Sequence, residues 1–484
     1  METDLETEIC VIGGGPAGST IARQLACLGH AVCLVERSVF PRPHVGESLA
    51  PGIVPLLEVL HLREQIEQAG FLRPDRAIVR WSDDTDALKS QAGAPGFQVD
   101  RGIFDQLLMT AAQKAGVHVI QPALVHRPWN TAMGWRIPIC FRNIQCHINA
   151  RFLVDATGRR AVNHSKKRRY TPPTIAVYAY WRTPLLRGAE TRVEAGRDAW
   201  FWGAPLPDGT FNATVFVDPD HLRHLTVAGL EAAYRALLAE STLLRGCLEG
   251  ELVSGVFACD AAGYVDEEPI TENSIKVGES SFSIDPLASQ GVQAAMMSGY
   301  QGSIVIHTMV TYPERSAVAM TFYRNRQSET VMRHRVFSAQ AYAERHTYSD
   351  RLFWQRRKAP MSAPIAPQSF AQLTPETRVV LSNAIRVVEI PCIQDDFITL
   401  APALTHPILE YPVAHLDNFA VVPLITTLTK SKTVEEIMCK WFPQLTFQQS
   451  VRVIHWLWEH GVLVGSNGDD AEKNDQYDKI IESV

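Results

Sequence analysis

A glycine cluster in a fixed setting restricts this chain more than any other feature. Residues 8–12, Glu-Ile-Cys-Val-Ile, read as a short apolar strand, and Gly13-Gly-Gly15-Pro-Ala-Gly18 follows at once. A helical pattern then places Ala17, Ile21, Ala22, Leu25 and Leu28 on one face, and Gly29 ends it. Residues 31–35, Ala-Val-Cys-Leu-Val, form a second strand, and Glu36 stands at its end. This is a β-α-β unit of dinucleotide-binding type. Its first glycine permits the tight turn, its second lets backbone approach a pyrophosphate, and its third lets helix and strand pack closely. The helix N-terminus faces the phosphate charge, and the acid binds ribose hydroxyls. The pattern alone does not separate FAD from NAD.

The rest of the chain sets the scale. Its 484 residues suggest two or three domains. A net charge of −6 excludes the basic excess that nucleic acid or a membrane surface demands. No apolar run is long enough to span a bilayer. The acidic opening, residues 1–8, has no secretion-signal pattern, and the nine scattered cysteines lack a C-x-x-C pair. We therefore expect reduced thiols, no metal site and a cytoplasmic location.

Leu107 to Lys114 reads as helix, Val117 to Ile120 as strand, and residues 151–158 as a strand ending in a tight turn. Strand patterns such as Ile175 to Trp181 and Phe211 to Val217 dominate 170–265. Residues 274–309 return to strand, loop and helix, and 355–375 read as a proline-spaced linker. Thr433-Val-Glu-Glu436 and Thr446-Phe-Gln-Gln449 are capping boxes, and Val462-Leu-Val464 reads as a strand after Gly461. The expected fold class is α/β: a Rossmann-type dinucleotide-binding domain (FAD-binding, by the resemblance given next) with an inserted sheet-rich substrate domain and a C-terminal winged-helix-like α+β domain. The boundaries are 1–165 (with part of the substrate sheet near 75–100) and 271–354 for the cofactor domain, and 166–270 for the substrate domain. The C-terminal domain spans 376–466, and 467–484 read as a disordered tail.

Three further segments resemble a known family. Asp155-Ala-Thr-Gly158 looks like the D-A-x-G turn of FAD-dependent hydroxylases. Gly278-Glu279 with Asp285-Pro-Leu-Ala-Ser-Gln-Gly291 resembles their G-D and D-P-x-x-G-x-G segment. Pro41-Arg-Pro-His-Val-Gly-Glu-Ser-Leu49 resembles the P-R-x-x-x-G-E-S-L loop of the halogenase-like branch of FAD-dependent monooxygenases. That branch is similar both to flavin halogenases and to peptidyl-tryptophan hydroxylases of tryptophylquinone biogenesis. The resemblance implies FAD, O2 as co-substrate, and NAD(P)H or a separate flavin reductase as electron source. It implies that Gly13, Gly15, Ala17, Gly18, Glu36 and Arg37 hold the ADP half and that Arg101 contacts the phosphate region. Glu279 would bind ribityl or ribose hydroxyls. Asp285, Gly291 and Val292 would pass the flavin ring on one side, and Gly46, Glu47 and Ser48 on the other. Glu47 and His44 are the candidates for catalysis.

Flavin halogenases carry two further marks. For W-x-W-x-I-P this chain has Trp200-Phe-Trp202-Gly-Ala-Pro205, so Trp200 and Trp202 are either substrate-lining or strand packing. For a lysine shortly before a tryptophan it has Arg73-Pro74 upstream of Trp81. A guanidinium stays protonated and is a poor nucleophile, which favours oxygen transfer over halogenation. Lys166-Lys-Arg-Arg169 reads as a solvated loop or as a contact for NADPH phosphate or an acidic partner, and His164 as solvent-facing. The C-terminal pattern resembles small peptide-recognition domains, which implies a peptide or protein substrate carrying an electron-rich aromatic group such as tryptophan; a dimerisation or lid domain is the other reading. Alternatives are a halogenase, a flavin-bound sensor without turnover, and a saturating reductase of the prenyl-reductase type.

Overall fold

Four consecutive buried residues, Ile9 to Ile12, need cover on both faces, which only a central strand of a parallel sheet receives. In the computed structural model they lie on β1 (Leu5–Ile12), which leads into α1 (Pro16–Cys27) and β2 (Val32–Val35). The structure describes residues 4–82, 87–90, 95–162, 166–186, 188–223, 227–344, 347–358, 373–428 and 430–466. The expected linker lies largely outside these, and the expected tail and His164 lie wholly outside them. α2 (Arg101–Lys114) begins earlier than its apolar pattern suggested, because the Asp100 side chain caps it by accepting from the Ile103 N–H at 3.0 Å. β3 (Ile144–Asp155) runs parallel to β1, with Ile12 opposite Asp155. That register brings the glycine turn and the Asp155-Ala-Thr-Gly158 turn to the same end of the sheet. The sheet runs His118–Ile120, β2, β1, β3, Gly134–Phe141, Ala123–Val125.

A second sheet is woven around β4 (Ile175–Arg182), β5 (Thr191–Ala195), β6 (Ala199–Pro205) and β7 (Phe211–Val217). Its order is Glu251–Leu252, β4, β7, β6, β5, Arg76–Arg80, Ala87–Ser90. Alternation divides its residues cleanly. Val177, Ala179, Trp181, Phe201, Phe211, Ala213 and Val215 pack with Tyr234 and Leu238 of α3 (Val227–Ala239). Tyr178, Tyr180, Trp200, Trp202, Asn212, Thr214 and Phe216 therefore share the opposite face. β8 (Phe257–Asp260) adds to β4, with Phe257 opposite Tyr178. The chain then returns to the first layer through Ser274–Lys276, which pairs with β3, and through α4 (Gly291–Thr311) and α5 (Ser316–Ala343). Helices α1 and α4 approach closely at Gly299, where a Cβ would lie 2.6 Å from the Ala17 carbonyl oxygen.

The chain divides into two units, and most of the second is Pro360–Val484. Within it, β9 (Arg378–Leu381) pairs antiparallel with Lys432–Thr433 and with β10 (Leu463–Gly465). Arg386–Gln394 and Phe397–Thr405 make a long hairpin. Both expected capping boxes form, at Thr433 and Glu436 for α6 (Val434–Trp441) and at Thr446 and Gln449 for α7 (Phe447–Glu459). Trp441, Ile454, Leu457 and Trp458 close a core of their own.

Candidate functional site

The glycine turn is shaped by backbone contact on two sides and left open on the third. Gly13 has φ +105°, and a Cβ there would lie 2.4 Å from the Ala156 carbonyl oxygen. A Cβ on Gly18 would lie 1.8 Å from the Gly13 carbonyl oxygen. Gly15 is different: its Cβ would meet only the Arg42 guanidinium, at 3.6 Å. The α1 N-terminus carries no side-chain cap and no acid in its first turn, so its dipole faces this opening uncompensated. Arg42 Nε is buried with no hydrogen-bond partner, and its terminal nitrogen lies 3.4 Å from Asp105. A cradle with free helix N–H groups and an under-used guanidinium fits a pyrophosphate. Glu36 accepts from the Gly14 N–H at 2.7 Å and the Ser38 N–H at 2.8 Å, which fixes the turn beside the ribose position. Ala17 is buried at the start of α1, and Arg37 is exposed.

Arg101 makes hydrogen bonds within the chain that the sequence alone does not specify. Its guanidinium forms a fork with Asp105, at 3.1 and 3.2 Å, and donates to the Val45 and Gly46 carbonyls at 2.8 and 3.3 Å. It grips the Val45–Gly46 backbone, and Arg42 is the arginine nearest the Gly15 opening. The signals were in the sequence: Arg101 and Asp105 are four apart on a helix, and Arg42 belongs to the quoted loop. His44 is exposed on that loop, and its Nδ1 meets the Val45 carbonyl at 2.8 Å. Partial desolvation by the loop, then the positive charge of Arg101, lowers its pKa below the ordinary histidine value. Glu47 is 2% exposed, and Ser48 Oγ accepts from Gln98 at 3.2 Å.

The opposite wall comes from the later motifs. A Cβ on Gly278 would lie 2.8 Å from Ala17 Cβ, so this turn abuts the start of α1. Glu279 is partly exposed, with Arg159 at 3.3 Å and Ser283 Oγ at 3.2 Å. Asp285 caps the short helix Pro286–Ala288 through the Leu287 N–H, and Tyr342 donates to its carboxylate. Burial raises the Asp285 pKa. Gly291 opens α4, and a Cβ there would meet nothing. A Cβ on Gly46 would lie 3.9 Å from Val292 Cγ2, which brings the two loops expected on either side of the flavin within reach of each other. The basic run at 166–169 is largely a strand, Lys167–Arg169, and pairs with acids: Lys166 with Glu268, Arg168 with Glu267 and Arg169 with Asp260.

The inner face of the second sheet is graded. At one end Trp200 is 1% exposed, stacked on Phe216 at 3.8 Å and enclosed with Trp81, Tyr342 and Trp354. In the middle Trp202 and Tyr178 are half-buried, and Phe257, stacked on Tyr178 at 5.4 Å, is 46% exposed. At the other end Tyr180 and Asn212 hydrogen-bond Glu47. Arg73 lies over the Phe97 ring at 4.1 Å and donates to the Pro95 carbonyl at 2.8 Å. None of the residues of β4 to β8 is lysine, and Lys89 lies on the edge strand Ala87–Ser90 of the same sheet, opposite Ala77. Among the described residues no cluster of His, Cys, Asp or Glu could hold a metal, and no helix is long and apolar enough to cross a membrane.

Comparison with known proteins gives the chain relatives. The model of the tryptophan halogenase family matches residues 8–82 and 68–387. A tryptophan 2-halogenase from Chondromyces crocatus is 28% identical over 377 residues, covering 73% of this chain and 71% of that protein. Peptidyl tryptophan dihydroxylase QhpG, essential for tryptophylquinone cofactor biogenesis, superposes with a TM-score of 0.71 at 26% identity, covering 94% of this chain and 99% of that one. The flavin-dependent halogenase CmlS superposes with a TM-score of 0.77 over 98% of both chains, at 20% identity, which speaks for the fold.

Proposed function

This chain belongs to the tryptophan halogenase family, and from that premise we propose that it is an FAD-dependent monooxygenase that hydroxylates an electron-rich aromatic group. The observation that carries the choice of oxygen transfer is the Arg73-Pro74 pair, with Arg73 lying over Phe97, donating to the Pro95 carbonyl and paired with Glu67. Bound FAD supplies activated oxygen, with O2 as co-substrate and reducing equivalents from a separate flavin reductase or NAD(P)H. The Gly13–Gly18 turn, the α1 N-terminus and Arg42 would hold the pyrophosphate, and Glu36 the adenosine ribose. Glu279 would take flavin-side hydroxyls, and the backbone at Gly291 and Val292 would offset negative charge on the reduced ring. The sealed aromatic end of the sheet, around Trp200 and Trp354, keeps water from one side of the reacting space. Trp202, Tyr178 and Phe257 offer a half-buried surface on which a planar ring can lie.

The substrate we propose is a peptide or protein bearing the aromatic residue, most simply tryptophan. The likeness to a peptidyl tryptophan dihydroxylase over nearly the whole chain supports this, with the C-terminal unit as a winged-helix-like peptide-recognition domain. A halogenase is the second reading, favoured by the curated tryptophan 2-halogenase relative. Product mass spectrometry with chloride or bromide present separates them. A halide-independent gain of oxygen supports hydroxylation, and a halogen isotope pattern establishes the second reading.

A further inference from the structure

Glu47 is a buried acid whose partners come from two different layers of the fold. Its Oε1 accepts from Tyr180 Oη at 2.6 Å and from Asn212 Nδ2 at 3.1 Å. Its Oε2 accepts from the Gly46 N–H at 2.8 Å. Tyr180 and Asn212 are cross-strand partners on β4 and β7, on the inner face of the sheet. A carboxylate can satisfy all three donors because both its oxygens accept. An amide of the same size has one accepting oxygen, and its NH2 would confront either the sheet donors or Gly46. A group with every oxygen so engaged, and 2% exposed, is badly placed to remove a proton from a substrate.

The same loop is held from its other side. Arg101, locked by its fork to Asp105, donates to the Val45 and Gly46 carbonyls, and Gln98 donates to Ser48 Oγ while also donating to Thr191 Oγ1 at 2.9 Å. Residues 45–48 are therefore held from both sides: Arg101 takes two of their carbonyls, and Glu47 takes an N–H. Gly46 sits between the grips at φ +101°, with Val292 of α4 as its neighbour across the gap. Burial, and then the Glu47 charge, pushes the Tyr180 pKa far above the ordinary phenol value, so its hydroxyl remains a donor at any working pH.

We propose that Glu47 is a positioning residue that registers the flavin-facing Val45–Ser48 loop against the inner face of the sheet, with Tyr180 and Asn212 as its sheet-side partners. This rests on the FAD reading of the site. It goes beyond it by assigning the buried acid to coupling the cofactor layer to the substrate layer, and not to acid–base chemistry. The test uses the full-length holoenzyme and the variants Glu47→Gln, Tyr180→Phe and Asn212→Leu. The readouts are the visible spectrum of bound FAD, the flavin midpoint potential and the FAD dissociation constant. Glu47→Gln should weaken FAD by about tenfold, as loss of a charge-assisted tether does, and change the flavin band shape. It should raise the midpoint potential, because a negative charge next to the reduced flavin is removed. Tyr180→Phe keeps the charge but removes a donor that offsets it, so the potential should fall. Opposite signs of this kind do not arise from a structural role alone. If Glu47→Gln does not fold, Tyr180→Phe and Asn212→Leu each delete one donor and still decide the matter. Wild-type protein that takes up no FAD overturns the cofactor reading and this proposal together. Wild-type protein that binds FAD, with all folded variants matching its spectrum, potential and affinity, overturns this proposal alone.

Discussion

Around Gly13 to Gly18 the site is made of backbone, and side chains are excluded: Gly13 and Gly18 have no room for a Cβ, and Gly15 opens onto the place a phosphate takes. The inner face of the second sheet, the proposed substrate side, is made of side chains, with Trp202, Tyr178, Tyr180 and Asn212 carried at alternate positions of three strands beside the sealed Trp200. The first region fits the pyrophosphate that dinucleotide cofactors share. The second can change its ligand by changing one side chain without disturbing the strand that bears it. Cofactor cradle and proposed substrate face thus belong to different kinds of construction within one unit.

Three perturbations sharpen this contrast. The largest effect is expected at Gly18. A valine there would drive its Cβ into the Gly13 carbonyl, and no cooperatively melting protein should be recovered. A well-folded Gly18→Val protein would mean that the turn is not held by that approach. On the sheet the effect should be smaller and should depend on place. Trp200→Ala empties a sealed aromatic core and should cost about 3–5 kcal/mol in chemical denaturation. Trp202→Ala, half-buried, should cost under about 2 kcal/mol yet raise the KM for the aromatic substrate. Equal stability losses would break the gradation from sealed to open along that face.

The smallest effect is a pH dependence to which the loop should contribute and the sheet should not. The folded-state pKa of His44 is lowered, so below its unfolded value of about 6.5 the unfolded chain binds more protons. Stability is therefore retained above that pH and is lost as pH falls through it. His334 and His406, also lowered by burial, add to the same slope. Tyr178 is pushed up to about 12 by burial, and Tyr180 further, so the inner face stays silent over this range. His44→Gln should flatten part of the decline in melting temperature between about pH 7 and pH 5, and Tyr180→Phe should leave it unchanged. A slope that follows the tyrosine would reverse the assignment.

The same contrast explains what the sequence could reveal. The cradle was legible because backbone constraints leave glycines at fixed spacing next to a strand, with Glu36 at the end of the following strand. The capping boxes at Thr433 and Thr446 were legible for the same reason: a cap is a local bargain over four residues. The intramolecular partners of Arg101 were not, since where a long side chain ends is decided by packing, and here Asp105 and the Val45 carbonyl hold it. Nor could alternation tell Trp200 from Trp202. Both face the same way, and the difference is made by Trp354, which arrives from far along the chain and bonds the Gly196 carbonyl at 3.0 Å. The sheet itself draws strands from 76–80, 87–90, 175–217 and 251–260, pairings that no local pattern records.

The account stands first on FAD occupying the opening at Gly15. Gly15→Val is the direct probe, because the opening tolerates a side chain sterically, with only Arg42 nearby, yet the side chain would fill the pyrophosphate's approach. FAD titration of wild type and variant, followed by flavin fluorescence and paired with a melting curve for each, reads both consequences at once. The account predicts a variant that melts as the wild-type apoprotein does and binds no FAD. A folded Gly15→Val protein with wild-type FAD affinity would contradict it.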